Sequence, residues 1–168
     1  ELMHAAYKLV TEMRPIRPGQ QVLITADTAS DKRVVQATAS AVYTVGGVPT
    51  VVTYQTQDEP MQEPPRPVSA AASVADVWIN YCVAYTLYSP AYHQAIENGC
   101  IYVELTGMDV DMMVRTVGRV NFQSMQKMAT RLYEMSQSAD LIRLTTAIGT
   151  DLSLVCYNGW DPSYCIHG

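Results

Sequence analysis

The sequence predicts an α/β fold: a three-layer αβα domain with a mainly parallel sheet. Three observations carry that prediction. Short apolar, β-branched runs recur along the chain and alternate with stretches of helical spacing. The segments between successive strand-like runs are long enough for the crossovers that parallel strands require. Gly, Pro, Ser and Asp fall at the joints, where caps and turns need them. By the right-handed crossover rule, such alternation implies parallel strands with helices on the faces of the sheet.

The elements follow in order. Residues 2–13 (LMHAAYKLVTEM) place Leu2, Ala5, Ala6, Leu9, Val10 and Met13 on one stripe, which predicts a first helix. Arg17-Pro18-Gly19 turns the chain into a buried strand over residues 21–26 (QVLITA). Residues 31–45 carry Val34, Val35, Thr38, Ala41, Val42 and Val45 at helical spacing, and Gly46-Gly47 ends that helix. Residues 48–54 (VPTVVTY) form the second strand, and the Pro- and charge-rich residues 58–67 form a loop. A short Ala-rich helix over 68–74 precedes the third strand, 75–82 (ADVWINYC). Ser89-Pro90 opens a helix to about Asn98, with Pro90 at the favoured first position, and Gly99 closes it. Residues 100–106 (CIYVELT) are the fourth strand and 108–115 a helical segment. The helix over 121–138 bears the stripe Phe122, Met125, Met128, Ala129, Leu132 and Met135, which reads as core. Two strands, 140–146 and 152–156, flank Gly149-Thr150-Asp151, a hairpin turn.

Composition narrows the function classes. The 168 residues are 48% hydrophobic and 16% charged, which excludes a disordered tail. The formal net charge of −5 argues against nucleic-acid binding, which needs a basic surface. No apolar run reaches about 18 residues, so a membrane partner is not expected, and the default is a cytoplasmic protein with reduced thiols at Cys82, Cys100, Cys156 and Cys165. The ends read as cut, because the chain opens without Met and stops among aromatic and Cys residues. We therefore expect residues 1–156 to be an N-terminal domain and 157–168 to begin a linker or second domain.

Known motifs are sparse. The first strand leads into Ala26-Asp27-Thr28-Ala29-Ser30, with no Gly-x-Gly-x-x-Gly, so dinucleotide binding is unsupported. Neither a Walker A sequence, a Gly-x-Ser-x-Gly elbow nor His-Glu-x-x-His occurs. The loop from Asp27 to Asp31 sits where open α/β sheets bind ligands, yet its residues are also the preferred helix caps. Cys156, Asp161, Cys165 and His167 lack the close pairs of a zinc site and read as a structural loop. His4 and His93 are isolated on helices. Leu87, Tyr88 and Ser89 are the substrate-binding candidates. Their loop brings a phenol and a helix N-terminus to the carboxyl edge of the sheet, where a polar or anionic substrate is held. A cap with a packed Tyr explains the same residues equally well.

Several segments together resemble one family. They are Arg17-Pro18-Gly19 into QVLITAD, the helix from Asp31 to Gly46-Gly47, ADVWIN, Leu87-Tyr88-Ser89-Pro90, Asn98-Gly99, and Ile148-Gly149-Thr150-Asp151-Leu152. They are similar to the N-terminal, Rossmann-like half of the M29 aminopeptidase-like metalloenzymes, a group that includes the 2,5-dihydroxypyridine dioxygenases. The Gly-Thr-Asp-Leu turn resembles the aminopeptidase branch, and the Ser-Pro helix followed by Asn-Gly resembles the ring-cleaving branch. The resemblance implies a divalent metal ion (Fe, Zn, Co or Mn) held by His and carboxylates beyond Gly168, with no metal ligand in this chain. It also implies a small-molecule or peptide substrate and a homodimer. The ring-cleaving branch places a Leu-His-Ser segment at its active site. Leu87, Tyr88 and Ser89 match it, with Tyr88 in the His position as the candidate catalytic residue. A phenol donates a hydrogen bond but is a poor base near neutral pH, since its ordinary pKa is about 10. The competing class is a freestanding α/β module that binds a ligand without catalysis.

Overall fold

The computed structural model describes residues 1–156. The chain divides into two compact units, Glu1–Val120 and a second beginning at Asn121.

The first unit is built on four strands, β1 (Gln21–Asp27), β2 (Val48–Tyr54), β3 (Val77–Asn80) and β4 (Ile101–Glu104). They form one sheet in the order β2-β1-β3-β4, with every neighbouring pair parallel. The predicted parallel arrangement is thus present. Strand order reverses between β1 and β3, because β1 leads outward to β2 on one side and β3 to β4 on the other. In open sheets of this kind that crevice, at the carboxyl ends of the strands, is where ligands bind.

Two apolar clusters make the sheet the middle of three layers. On one face Val22, Ile24, Val77 and Ile79 pack with Ala5 and Ala6 of α1 (Leu2–Lys8), Val34 and Val42 of α2 (Lys32–Thr44), and Met113 of α5 (Val110–Met113). On the other, Leu23 and Trp78 meet Val68 and Ala72 of α3 (Arg66–Ala72) and Ala91 and Ala95 of α4 (Pro90–Glu97). Fully burying one such aliphatic or aromatic side chain contributes about 1.5–3 kcal/mol. Both clusters come from the alternation of β1 and β3, whose successive residues point to opposite faces.

Local chemistry sets the helix ends. Asp31 caps α2 through a bond from the Arg33 amide at 3.0 Å, and the Arg33 guanidinium holds the Asp31 carboxyl down at about 2. After Val45, Gly46 adopts φ +86°, and the amides of Gly46 and Gly47 return to the carbonyls of Tyr43 and Val42. That is the Schellman termination the Gly-Gly pair predicts. The first helix differs from its prediction: Leu9–Met13 winds as a π-helix after α1, and Val114–Gly118 does the same after α5. Lys8 at the end of α1 donates through Nζ to the Gly118 carbonyl at 3.3 Å, at the end of the second π-helix, and to the Val120 carbonyl at 2.5 Å.

In the second unit α6 (Phe122–Gln137) precedes an antiparallel hairpin of β5 (Leu141–Thr145) and β6 (Asp151–Val155). The turn at Gly149-Thr150-Asp151 is therefore a hairpin, as its residues indicate. The two strands pair with each other rather than extending the parallel sheet. The α6 stripe also departs from its reading as core: Met125, Met128, Leu132 and Met135 are exposed. A helix and a two-stranded ribbon provide too little surface to enclose a core of their own.

Candidate functional site

The carboxyl ends of β1, β3 and β4 carry polar side chains, whereas the middles of β1 and β3 are apolar. Thr25, Asn80 and Glu104 occupy one row across three strands, in direct register. They lie on the face that covers Leu23 and Trp78 two residues earlier, so strand alternation delivers them to the same side. Trp78 Nε1 donates to Thr25 Oγ1 at 2.8 Å, and Thr25 Oγ1 donates to Asn80 Oδ1 at 2.7 Å. Asn80 Nδ2 then donates to the Glu104 carboxylate at 3.0 Å. The row is continuous from a buried indole to a carboxylate that is only partly covered.

Glu104 is the chemical focus of this row. Its oxygens also accept from the Tyr102 hydroxyl and from Thr106 Oγ1, the latter at 2.5 Å. Burial pushes its pKa above the usual carboxyl range, against the pull of the Thr106, Tyr102 and Asn80 bonds. Tyr102 is pushed up in turn, by burial first and by the neighbouring carboxylate second. The Thr86 hydroxyl lies 3.0 Å from the Tyr102 hydroxyl and links the network to the loop after β3.

Beside it, the Asp27 side chain closes the crevice between β1 and β3. One carboxylate oxygen accepts the Val83 and Ala84 amides at 2.7 and 3.3 Å, and the other accepts the Ala29 amide and the Ser30 hydroxyl. Asp27 and Ser30 are thus spent on joining two loops, and Asp31 on capping α2. The structure favours the capping and bracing reading of this loop. The Tyr54 hydroxyl, at the end of β2, is buried and faces the Cys82 thiol without a well-formed hydrogen bond. Burial pushes the Cys82 thiol up to about 11, so it stays protonated and is no nucleophile. Among the described residues Cys82, Cys100 and Cys156 are free thiols.

The three substrate-binding candidates sit on the loop between β3 and α4, and they differ in what they offer. Leu87 is half-buried. Ser89 is fully buried, and its hydroxyl accepts the Tyr92 amide at 3.2 Å as the cap of α4. The next amide, Ala91, donates to Glu63 Oε2 at 2.8 Å. The start of α4, expected to hold a polar or anionic substrate, is therefore occupied by this chain's own Ser89 and Glu63. Tyr88 is 56% exposed and has φ +66°, a left-handed conformation unusual for an aromatic residue. Such strain concentrates at functional sites. Its ring packs edge-on against Tyr92 at 5.8 Å and lies 6.5 Å from His93. Tyr92 packs in the same manner against Tyr102 at 5.0 Å. Tyr88 thus connects through two aromatic rings to the Glu104 network.

Sequence reading missed Thr25, Asn80, Tyr102 and Glu104. The available signal was the acidic residue inside the fourth strand run and the Asn closing the third. His4 is exposed on α1, and the suggested group at Asp161, Cys165 and His167 lies outside the described residues. Among the described residues no three or more His, Cys, Asp and Glu side chains gather as a metal site requires.

No family model and no curated protein matches the chain. Solved structures share its fold, two of them as follows. The 2,5-dihydroxypyridine dioxygenase from Pseudomonas putida KT2440 superposes with a TM-score of 0.67 at 14% identity, over 92% of this chain and 47% of that one. AmpT from Thermus thermophilus gives 0.51 at 16% identity, over 92% of this chain and 53% of that one. The chain spans about half the length of each. At these identities the likeness establishes the α/β fold alone.

Proposed function

We propose that the chain is the substrate-positioning domain of a metal-dependent enzyme acting on a small substrate. The reaction is either hydrolysis of the aminopeptidase type or opening of a dihydroxypyridine-type ring. The observation that carries this reading is the Glu104 network at the carboxyl edge of the parallel sheet, joined by aromatic contacts to the strained, exposed Tyr88. A partly buried carboxyl of perturbed pKa, beside aromatic rings and a topological switch point, has the features of a ligand-binding edge. The fold shared with a dioxygenase and with AmpT adds support from outside the chain.

The division of labour follows from the donor set. The described residues do not fit a metal, so no step runs through one here, and its ligands are assigned to polypeptide that follows this domain. Within the domain, Tyr88 offers a ring face and a phenol to substrate, and Glu104 orients it through the carboxylate. Ser89 positions Tyr88 by fixing the first turn of α4.

The test uses the longest product of the gene. It should hold about one or two divalent ions per chain, as metal-assisted sites do. It should cleave a peptide amide or open 2,5-dihydroxypyridine, and lose that activity on chelation. Turnover indifferent to chelators, or a natural end at residue 168 with no turnover, overturns the reading in favour of a binding module.

A further inference from the structure

Glu104 is a carboxylate without a cation. Three neutral groups donate to it, Asn80 Nδ2, the Tyr102 hydroxyl and Thr106 Oγ1. The ion pairs among the described residues engage Glu12, Asp31, Asp111, Glu1 and Asp151, and none reaches Glu104 or Asp27. Asp27 is itself fully buried nearby, and its four donors are also neutral. Both carboxylates act electrostatically on the same two groups, Tyr54 and Cys82, which places them in one neighbourhood of negative potential. Asp27 is sealed by its loops, whereas Glu104 is only half-buried as a residue at the sheet edge.

The surroundings of Glu104 have their own chemistry. Tyr102, Tyr92 and Tyr88 form a run of edge-packed rings leading from Glu104 to the exposed surface. Aromatic faces attract cations, and a desolvated carboxylate pairs with them most strongly. A substrate carboxylate or phosphate would meet like charge here and find the α4 amides already taken by Ser89 and Glu63.

We propose that Glu104 and the Tyr88–Tyr92–Tyr102 rings form the binding point for a protonated primary amine on a small ligand. The ammonium docks against the half-buried Glu104 carboxylate, and the ligand's body lies along the tyrosine rings. This rests on the reading of the carboxyl edge as the substrate-facing edge, and it names the group that edge selects.

The experiment is a titration of the 168-residue chain at pH 7, followed by amide NMR. L-leucinamide supplies the amine, and N-acetyl-leucinamide is the same body without the charge. L-leucinamide should shift the amides around Asn80, Tyr88 and Glu104 saturably, and the acetylated compound should bind about tenfold more weakly or worse, a loss of about 1.4 kcal/mol. Glu104→Gln, checked for folding by its dispersed spectrum, should lose the preference between the two. Equal binding of both compounds by the unaltered chain overturns the proposal without reference to any variant. So does an unchanged preference in Glu104→Gln. Chelator-sensitive turnover without amine binding at Glu104 overturns this proposal and leaves the enzyme reading standing. Amine binding without turnover does the reverse.

Discussion

The Asp27 carboxylate accepts the Val83 amide at 2.7 Å, bridging the loops after β1 and β3 at the point where strand order reverses. A crevice that open sheets leave for ligands is here braced by the chain itself. Glu104 and Tyr102 lie outside this brace, on β4.

Asp27→Ala removes the acceptor for three backbone amides and one hydroxyl at a buried position. Each buried donor left without a partner costs about 1–3 kcal/mol, so a total loss of about 3 kcal/mol or more is expected. Asp27→Asn keeps one carbonyl oxygen and should lose less. Urea unfolding should show the midpoint falling at constant slope. A loss under about 1 kcal/mol for Asp27→Ala contradicts the bracing role.

Gly46-Gly47 tests the packing beneath the α2 terminus. A Cβ on Gly47 would meet Ile16 Cγ2 and Val42 Cγ1 at 2.8 Å, both side chains of the core. Gly47→Ala should destabilise by about 1–3 kcal/mol through overpacking. Gly46 needs its positive φ, and Gly46→Ala should cost about 1 kcal/mol for that reason. Thermal melts of the two variants give the comparison, and a neutral Gly47→Ala contradicts the tight contact.

What could be read from sequence was what is local. Gly46-Gly47, Ser89-Pro90 and Asp31 mark ends by chemistry confined to a few residues, and the structure places caps at all three. The strands beginning near Gln21, Val48, Ala75 and Cys100 announced themselves by β-branched runs. The Thr25–Asn80–Glu104 row did not, because its members lie 55 and 24 residues apart and meet only through strand register. The same holds for Glu63, which reaches the α4 amide from 28 residues away. The α6 stripe was read as core because periodicity reports an apolar face and says nothing of what covers it. The π-helical turns at Leu9–Met13 and Val114–Gly118 leave no period that a short window resolves.

Tyr88 separates a folding role from a functional one. Its hydroxyl makes no hydrogen bond among the described residues, while its ring touches Tyr92 and His93. Tyr88→Phe should therefore leave the melting temperature within about 2 °C, as surface changes away from such features usually do. On the proposed enzyme reading it should lower turnover of the longest gene product by about tenfold, the scale of one lost hydrogen bond to substrate. Tyr88→Gly relieves the positive φ but removes the ring, so it should weaken substrate binding while preserving the fold. Unchanged turnover in Tyr88→Phe removes the phenol from the mechanism.

Glu104 makes the pH dependence of stability specific to one side chain. Burial raises its folded-state pKa above the ordinary 4.5 that the unfolded chain retains. Between those two values the folded protein holds a proton that the unfolded protein releases. Stability linked to this group is therefore fully present below about 4.5 and is lost as pH rises through the raised folded value. Above that value the carboxylate is ionised in both states, and its desolvation weighs against the fold. Glu104→Gln removes the titration while its amide still bonds Tyr102 and Thr106, whose hydroxyls turn to accept. The variant should gain stability relative to the unaltered protein as pH rises from 4 to 7. Other carboxyls, such as Asp31 with its lowered pKa, contribute equally to both proteins and cancel in the difference. Paired urea titrations at the two pH values measure that difference, and a gap that is flat or shrinks toward pH 7 rules out burial as the dominant influence on Glu104.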